Sequence, residues 1–223
     1  MFKQFRDFQH GEFILCFADT AMGGADNCAA QFLSHKWLDV PKIFHAHITG
    51  SFMTPLIHEE LNKIYDQTGL QPVVAFEREN GGNFEMDRLA RLNREGKYRI
   101  YTMKDINSTG EQADTGKLGW STNSATRPKM LQELKDAIEG QLLHIYHRQT
   151  VNELFSFILK PNGRAEAEVG AHDDLVMSLA GVWQLYQTER PIDADSSGVV
   201  ETTPRGGYGK EAGILIAEPQ DYQ

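Results

Sequence analysis

Carboxylates recur in this chain where a charge is costly unless it has work to do. Asp19 closes the apolar run Phe13-Ile-Leu-Cys-Phe-Ala-Asp19. On an alternating strand Phe13, Leu15, Phe17 and Asp19 share one face, so the charge stands at the rim of an apolar surface. A lone carboxylate there costs on the order of several kcal/mol unless a cation or hydrogen-bond donors meet it; the plainer alternative is a turn-forming aspartate bonded to its own loop. A second site lies in Val73-Val-Ala-Phe-Glu77-Arg-Glu79-Asn-Gly-Gly82. If the strand continues, Glu77 and Glu79 point the same way with Arg78 opposite. Like charges on one face repel, and a shared divalent cation relieves the repulsion; otherwise both sit on a solvated strand end. The third is His172-Asp173-Asp174, just ahead of an apolar helical stripe. One aspartate is enough for an N-cap or a match to the helix dipole. The other is then free, on a rigid helix start that can present it, while His172 reads as a turn residue or an outer contact.

Three acidic positions, at two strand ends and a late helix start, are what two-metal phosphodiester hydrolysis needs. In that chemistry two cations sit about 4 Å apart, one activating water and the other stabilising the leaving oxygen. Hard oxygen donors select two divalent cations, Mg or Mn. The segment Gly119 to Met130 adds Ser121, Thr122, Asn123, Arg127 and Lys129 around a helix start, suited to phosphate contacts; its alternative is helix capping beside a solvated face. Gly110 to Leu118 superficially resembles a nucleotide-binding loop. Its glycines are one residue too far apart, however, and Leu118 stands where a hydroxyl is required, so nucleotide binding is rejected there.

The elements that must position these groups follow from periodicity. Glu12 to Asp19 reads as a buried strand, and Cys28 to His35 with Lys42 to Thr49 as a hairpin continuing the sheet. Thr54-Pro55 is expected to open a helix that stops at Gly69. Pro72 to Phe76 is strand-like, Phe84 to Asn93 helical, and Tyr98 to Met103 strand again. Residues 105 to 125 are expected to form a long functional loop. Thr126, with Pro128 in the first turn, opens a helix ended by Gly140. A short strand over Leu142 to Tyr146, a helix over Thr150 to Phe157 and a hairpin over Phe157 to Glu168 are expected before the last helix. There Leu175, Leu179, Val182, Trp183 and Tyr186 fall on one face.

At 223 residues the chain suits one α/β domain, residues 1 to 188, and a flexible C-terminal tail from 189 to 223 rich in Pro and Gly. No apolar stretch approaches the roughly 20 residues of a membrane span, and residues 1 to 10 have no signal-peptide pattern, so a cytoplasmic setting is expected. Cys16 and Cys28 make no zinc signature and read as reduced core thiols. A net charge of −9 argues against coating nucleic acid through bulk electrostatics. Contact with DNA must then be local or helped by cations.

The order of elements resembles the ribonuclease H-like superfamily, an α/β fold whose mixed sheet begins with three antiparallel strands, continues with parallel ones and is flanked by helices. Four motifs together, Phe17-Ala-Asp-Thr-Ala-Met-Gly-Gly-Ala-Asp26, Phe76-Glu-Arg-Glu-Asn-Gly-Gly82, Gly119-Trp-Ser-Thr-Asn-Ser-Ala-Thr-Arg-Pro-Lys-Met130 and Gly170-Ala-His-Asp-Asp-Leu-Val-Met-Ser-Leu-Ala180, are similar to phage terminase large-subunit nuclease domains over about residues 5 to 188. The resemblance implies an Mg- or Mn-dependent endonuclease that cuts concatemeric viral DNA during genome packaging in the host-cell cytoplasm. Its partners would be double-stranded DNA, the terminase ATPase motor domain, the small terminase subunit and the portal protein, with no membrane. Carried over, Asp19 bridges two metals, Glu77 or Glu79 holds one, and Asp173 or Asp174 the other. No region matching the motor is present, so the nuclease domain alone is expected. A junction resolvase or transposase-like nuclease of the same fold, or a non-catalytic docking module of the packaging machine, are the other readings.

Overall fold

Runs that are apolar on both faces dictate a sheet with a helical layer on either side. The computed structural model describes residues 1–23, 26–79, 81–106, 112–159, 165–167 and 172–192. Strand β2 (Ile14–Asp19) pairs antiparallel with β3 (Cys28–Ser34), β3 with β4 (Lys42–Ala46), and β4 with a short edge strand, β1 (Phe2–Gln4). On its other side β2 takes β5 (Val73–Phe76) in parallel, and β5 takes β6 (Arg99–Ile100) likewise. The resulting order, β1-β4-β3-β2-β5-β6, is the expected ribonuclease H-like mixed sheet, antiparallel first and parallel afterwards.

Pleating sends Leu15, Phe17, Ile43, Val73 and Ala75 to one face, under α3 (Thr126–Glu139), α4 (Arg148–Phe155) and α5 (Asp174–Thr188). Ile14, Cys16, Ala18, Val74 and Phe76 face α1 (Gly50–Thr68) and α2 (Gly82–Leu92). Helix α5 is buried continuously from Asp174 to Leu185, because it lies between the sheet and the other two helices of its layer. Gly181 permits that seat. A Cβ there would stand 2.4 Å from the Phe17 ring. A helical glycine costs about 1 kcal/mol, and the close approach it allows brings the start of α5 over the end of β2. The other end of β2 is locked by Arg6, whose Nε lies 2.6 Å from Asp39 and whose Nη2 lies 2.5 Å from the buried Glu12. Both cysteines are buried and free.

Three local expectations are corrected, and one strand is added. Helix α1 begins at Gly50 with Thr49 as its N-cap, so Pro55 lies inside it and not in its first turn. The carbonyl that proline leaves unpaired, on Ser51, accepts a hydrogen bond from Arg88 at 3.2 Å, which offsets part of the loss. The stretch 105–125 is no continuous loop: β7 (Thr102–Ile106) and β8 (Gln112–Leu118) form an antiparallel hairpin, backbone pairing having overridden the polar composition. Its tip, 107–111, lies outside the described residues. Leu142–Tyr146 is extended but makes only a bridge, His144 to Asp39, because Leu143 and Ile145 are held by core burial. Strand β1 had too short an apolar signature to be anticipated. The expected hairpin over Phe157 to Glu168 is found as β9 (Phe157–Leu159) with β10 (Ala165–Ala167), its turn lying outside the described residues. Of the expected tail, Glu189 is buried and anchored by Lys104 at 2.6 Å and Arg99 at 3.3 Å; residues from 193 onward lie outside the described ones. No helix among the described residues is long and apolar enough to cross a membrane.

Candidate active site

Parallel pairing of β2 with β5 ends on Ala18 opposite Phe76, and the amide of Glu77 continues the ladder by donating to the Ala18 carbonyl at 2.8 Å. Asp19 and Glu77 therefore leave neighbouring strands side by side. Both fall on the α5 face, in phase with Phe17 and Ala75. Glu77 is buried and Asp19 half-buried, with their carboxyls in hydrogen-bonding reach of each other. Glu77 is held from its far side as well. The Trp120 amide donates to Phe76 at 2.9 Å and the Arg78 amide to Trp120 at 2.7 Å. Trp120 can come that close because Gly119 precedes it with φ of +83°; a Cβ on Gly119 would lie 2.7 Å from the Phe76 carbonyl oxygen.

The start of α5 supplies the remaining acids. Asp174 is buried, and its Oδ2 accepts from the Asn27 backbone amide at 3.2 Å and from Asn27 Nδ2 at 3.4 Å. Asp173, the N-cap residue, makes no capping bond; it accepts from Arg127 Nη2 at 2.9 Å. His172 Nδ1 lies 3.8 Å from Asp174 Oδ2, beside the acids. A further acid, Glu153 of α4, went unnoticed in the sequence. It is buried, and its Oε2 accepts from the Leu175 amide at 3.0 Å. A single glutamate in a short helix carries no local signal of such a partner, 22 residues away.

The remaining expected site residues are occupied locally. Glu79 has left the strand face of Glu77. It is exposed and accepts from Ser121 Oγ at 2.9 Å and the Thr122 amide at 3.1 Å. Asn123, two residues before the Ala125 N-cap of α3, closes a turn leading into the helix, its Oδ1 accepting from the amides of Ala125 at 2.8 Å and Thr126 at 3.0 Å. Arg127 is on Asp173, and Lys129 is exposed, 3.8 Å from Glu133. The structure thus sets Asp19 beside Glu77, with Asp173 and Asp174 near enough for their charges to act on Asp19 and Glu153 near enough to feel both aspartates, and it turns Glu79 to Ser121 and Thr122.

Burial first, then Glu77, then the charges of Asp174 and Asp173, hold the Asp19 carboxyl well above the ordinary carboxylate range. Burial also raises Asp174, with Asp173 adding to it and Asn27 opposing, and it pushes Glu153 up to about 7. Among the described residues no three His, Cys, Asp or Glu side chains are gathered tightly enough to hold a metal ion as they stand. Asp19 and Glu77 are adjacent, whereas Asp173 and Asp174 are turned to Arg127 and Asn27. The donors are nonetheless all hard oxygens in a cluster with excess negative charge, which fits a divalent cation once an α5 aspartate exchanges its partner.

A stability test follows from the raised values. A carboxyl raised in the fold holds a proton that the unfolded chain has released. Its contribution to stability is therefore full below the unfolded value, about 4.5 for Glu153, and is lost as pH rises through about 7. In chelator, the melting temperature is expected to fall by roughly 5 °C between about pH 5 and about pH 8. Manganese should shrink that fall, since cations favour the ionised carboxylates. Thermal scans that show no metal effect at the higher pH would contradict this electrostatic picture.

No family model matches the chain, and no curated protein is similar to it in sequence. Solved structures are similar in fold. The large terminase nuclease domain of Thermus phage P74-26 superposes with a TM-score of 0.58 at 15% identity, over 85% of this chain and 87% of that one. The chain has the fold of the large terminase nuclease domains. The large terminase nuclease from thermophilic phage G20c with bound magnesium gives 0.57 at 15% identity, covering 82% of this chain and 86% of that one. The P22 large terminase nuclease domain gives 0.53 at 14%, covering 83% and 87%. At these identities the likeness to terminase nuclease domains is one of backbone architecture, and the site must be argued from its own residues.

Proposed function

We propose that this chain is the metal-dependent nuclease domain of a phage DNA-packaging terminase large subunit, cutting concatemeric viral DNA. What supports the reading is the adjacency of Asp19 and Glu77 at two strand ends, with the charges of Asp173 and Asp174 acting on Asp19 from the start of α5, on the fold of terminase nucleases. Asp19 would bridge two cations, Glu77 would hold one, and Asp174 or Asp173 the other. Glu79 is the weaker candidate because Ser121 and Thr122 occupy it. Mg or Mn bound there would polarise the phosphodiester and make water a nucleophile near neutral pH. The chain's own part is to fix the carboxylates and to shield them from bulk water. Overall, water adds across one P–O bond, its oxygen joining phosphorus and a proton going to the leaving oxygen.

Ser121, Thr122, Asn123, Arg127 and Lys129 would line the DNA approach. Lys129 is exposed, and Arg127, now paired with Asp173, would exchange it for a phosphate. With a net charge of −9 the domain would bind DNA weakly alone, relying on the ATPase motor domain, the small terminase subunit and the portal to hold it on substrate. Supercoiled plasmid with Mn or Mg tests the reading. Nicking and linearisation that stop in excess chelator are expected. Cutting that persists in chelator, or no cutting in either metal, would count against it, and a strong preference for four-way junctions over linear duplex would favour a resolvase.

A further inference from the structure

An aspartate at a helix start ordinarily turns back to cap its own helix, accepting from the amide two or three residues on. Helix α5 begins Asp173-Asp174 and does not use either side chain this way. The amide that such a cap would satisfy, on Leu175, is taken by Glu153 Oε2 at 3.0 Å. Glu153 is itself steadied by Gln149 Nε2 at 3.4 Å, and the Leu175 carbonyl one position along is held by Gln31 Nε2 from β3 at 3.3 Å. Gln31 also reaches Thr150 Oγ1, on the same helix as Glu153, at 3.3 Å. The first turn of α5 is thus tied at both its amide and its carbonyl by buried side chains from elsewhere in the fold.

We propose that Glu153 is a positioning residue: by capping α5 from α4 it releases Asp173 and Asp174 from the capping duty, so that their carboxylates, which here accept from Arg127 and Asn27, are available to a cation beside Asp19 and Glu77. Cap and ligand are competing uses of one carboxylate, since an oxygen turned to the Leu175 amide cannot also point across to β2. The buried acceptor on α4 removes the competition. What matters is its lone pair at Oε2, not its charge, and an amide oxygen serves equally well. The inference rests on the nuclease reading for its effect on activity but not for the cap itself.

The test compares wild type, Glu153→Ala and Glu153→Gln by two readouts. The first is the manganese concentration that half-saturates plasmid nicking, together with the rate at saturating manganese. Removing a residue that orients metal ligands typically costs about 10- to 100-fold in metal affinity. Glu153→Ala should therefore raise the half-saturating concentration by about tenfold while largely keeping the saturated rate, and Glu153→Gln should stay within about twofold of wild type. The second is amide hydrogen exchange at Leu175, expected to speed up in Glu153→Ala and not in Glu153→Gln. Wild-type metal dependence in the alanine variant overturns the proposal, as does a glutamine variant that fails along with it. If the alanine variant does not fold, the glutamine variant still decides. If wild type shows no manganese-dependent nicking, the nuclease reading falls, and exchange at Leu175 alone judges the cap.

Discussion

Replacing Asp19 with asparagine is expected to reduce plasmid cleavage at least about a thousandfold, because the charge stabilisation a bound metal supplies is worth several kcal/mol at about 1.4 kcal/mol per tenfold. Asparagine keeps the shape and loses only the charge. It should also leave the fold intact and raise its stability in chelator, since Asp19 stands against Glu77, Asp174 and Asp173 with no cation among them. The two effects together are diagnostic. A variant that loses cutting and melts higher has lost a functional charge, whereas one that loses cutting and melts lower has lost a structural group. Undiminished nicking by the variant in a metal-supplemented plasmid assay would remove the central residue from the mechanism.

The second large effect is expected at Gly82, which touches no substrate in the proposed scheme. A Cβ on Gly82 would lie 1.7 Å from the carbonyl oxygen of Glu77 and 2.9 Å from its carbonyl carbon. Backbone atoms cannot rotate aside, so Gly82→Ala must shift either the first turn of α2 or the Glu77 peptide. A displacement of about 1 Å in a catalytic array costs on the order of a hundredfold in rate. We expect about that loss in plasmid cutting, with helix content by circular dichroism unchanged. The neighbouring Gly81→Ala is the control. Its φ of +86° makes alanine strained, but its Cβ would meet only the flexible Met22 side chain at 3.5 Å, so it should lower stability and spare cutting. Equal activity losses in the two variants would mean that the close approach to Glu77 is not what matters.

Much of this architecture was legible beforehand because its causes are local. The strand at Ile14–Asp19, the hairpin of β3 and β4, and the apolar face of α5 each follow from side-chain periods of 2 or 3.6 residues, which a short stretch of chain displays by itself. The errors also share a cause. Pro55 reads as a first-turn residue until Arg88, from another helix, is seen to serve the carbonyl it abandons. The polar stretch 112–118 reads as loop until β7 pairs with it.

The amino-acid sequence alone determined the fold class and the small set of acids that could serve, since burial pattern and charge are properties of residues in order. Only the tertiary structure set where each of them points. Glu77 turns inward and Glu79 outward because Trp120 and Gly82 fix where β5 ends. The start of α5 reaches β2 because Gly181 fits against Phe17, and its aspartates turn to Arg127 and Asn27 while Glu153, from α4, takes the Leu175 amide. Each of these depends on contacts between segments far apart in the chain. A side chain at the end of a strand or helix takes its direction from whichever distant backbone or donor meets it, and no local pattern records that partner.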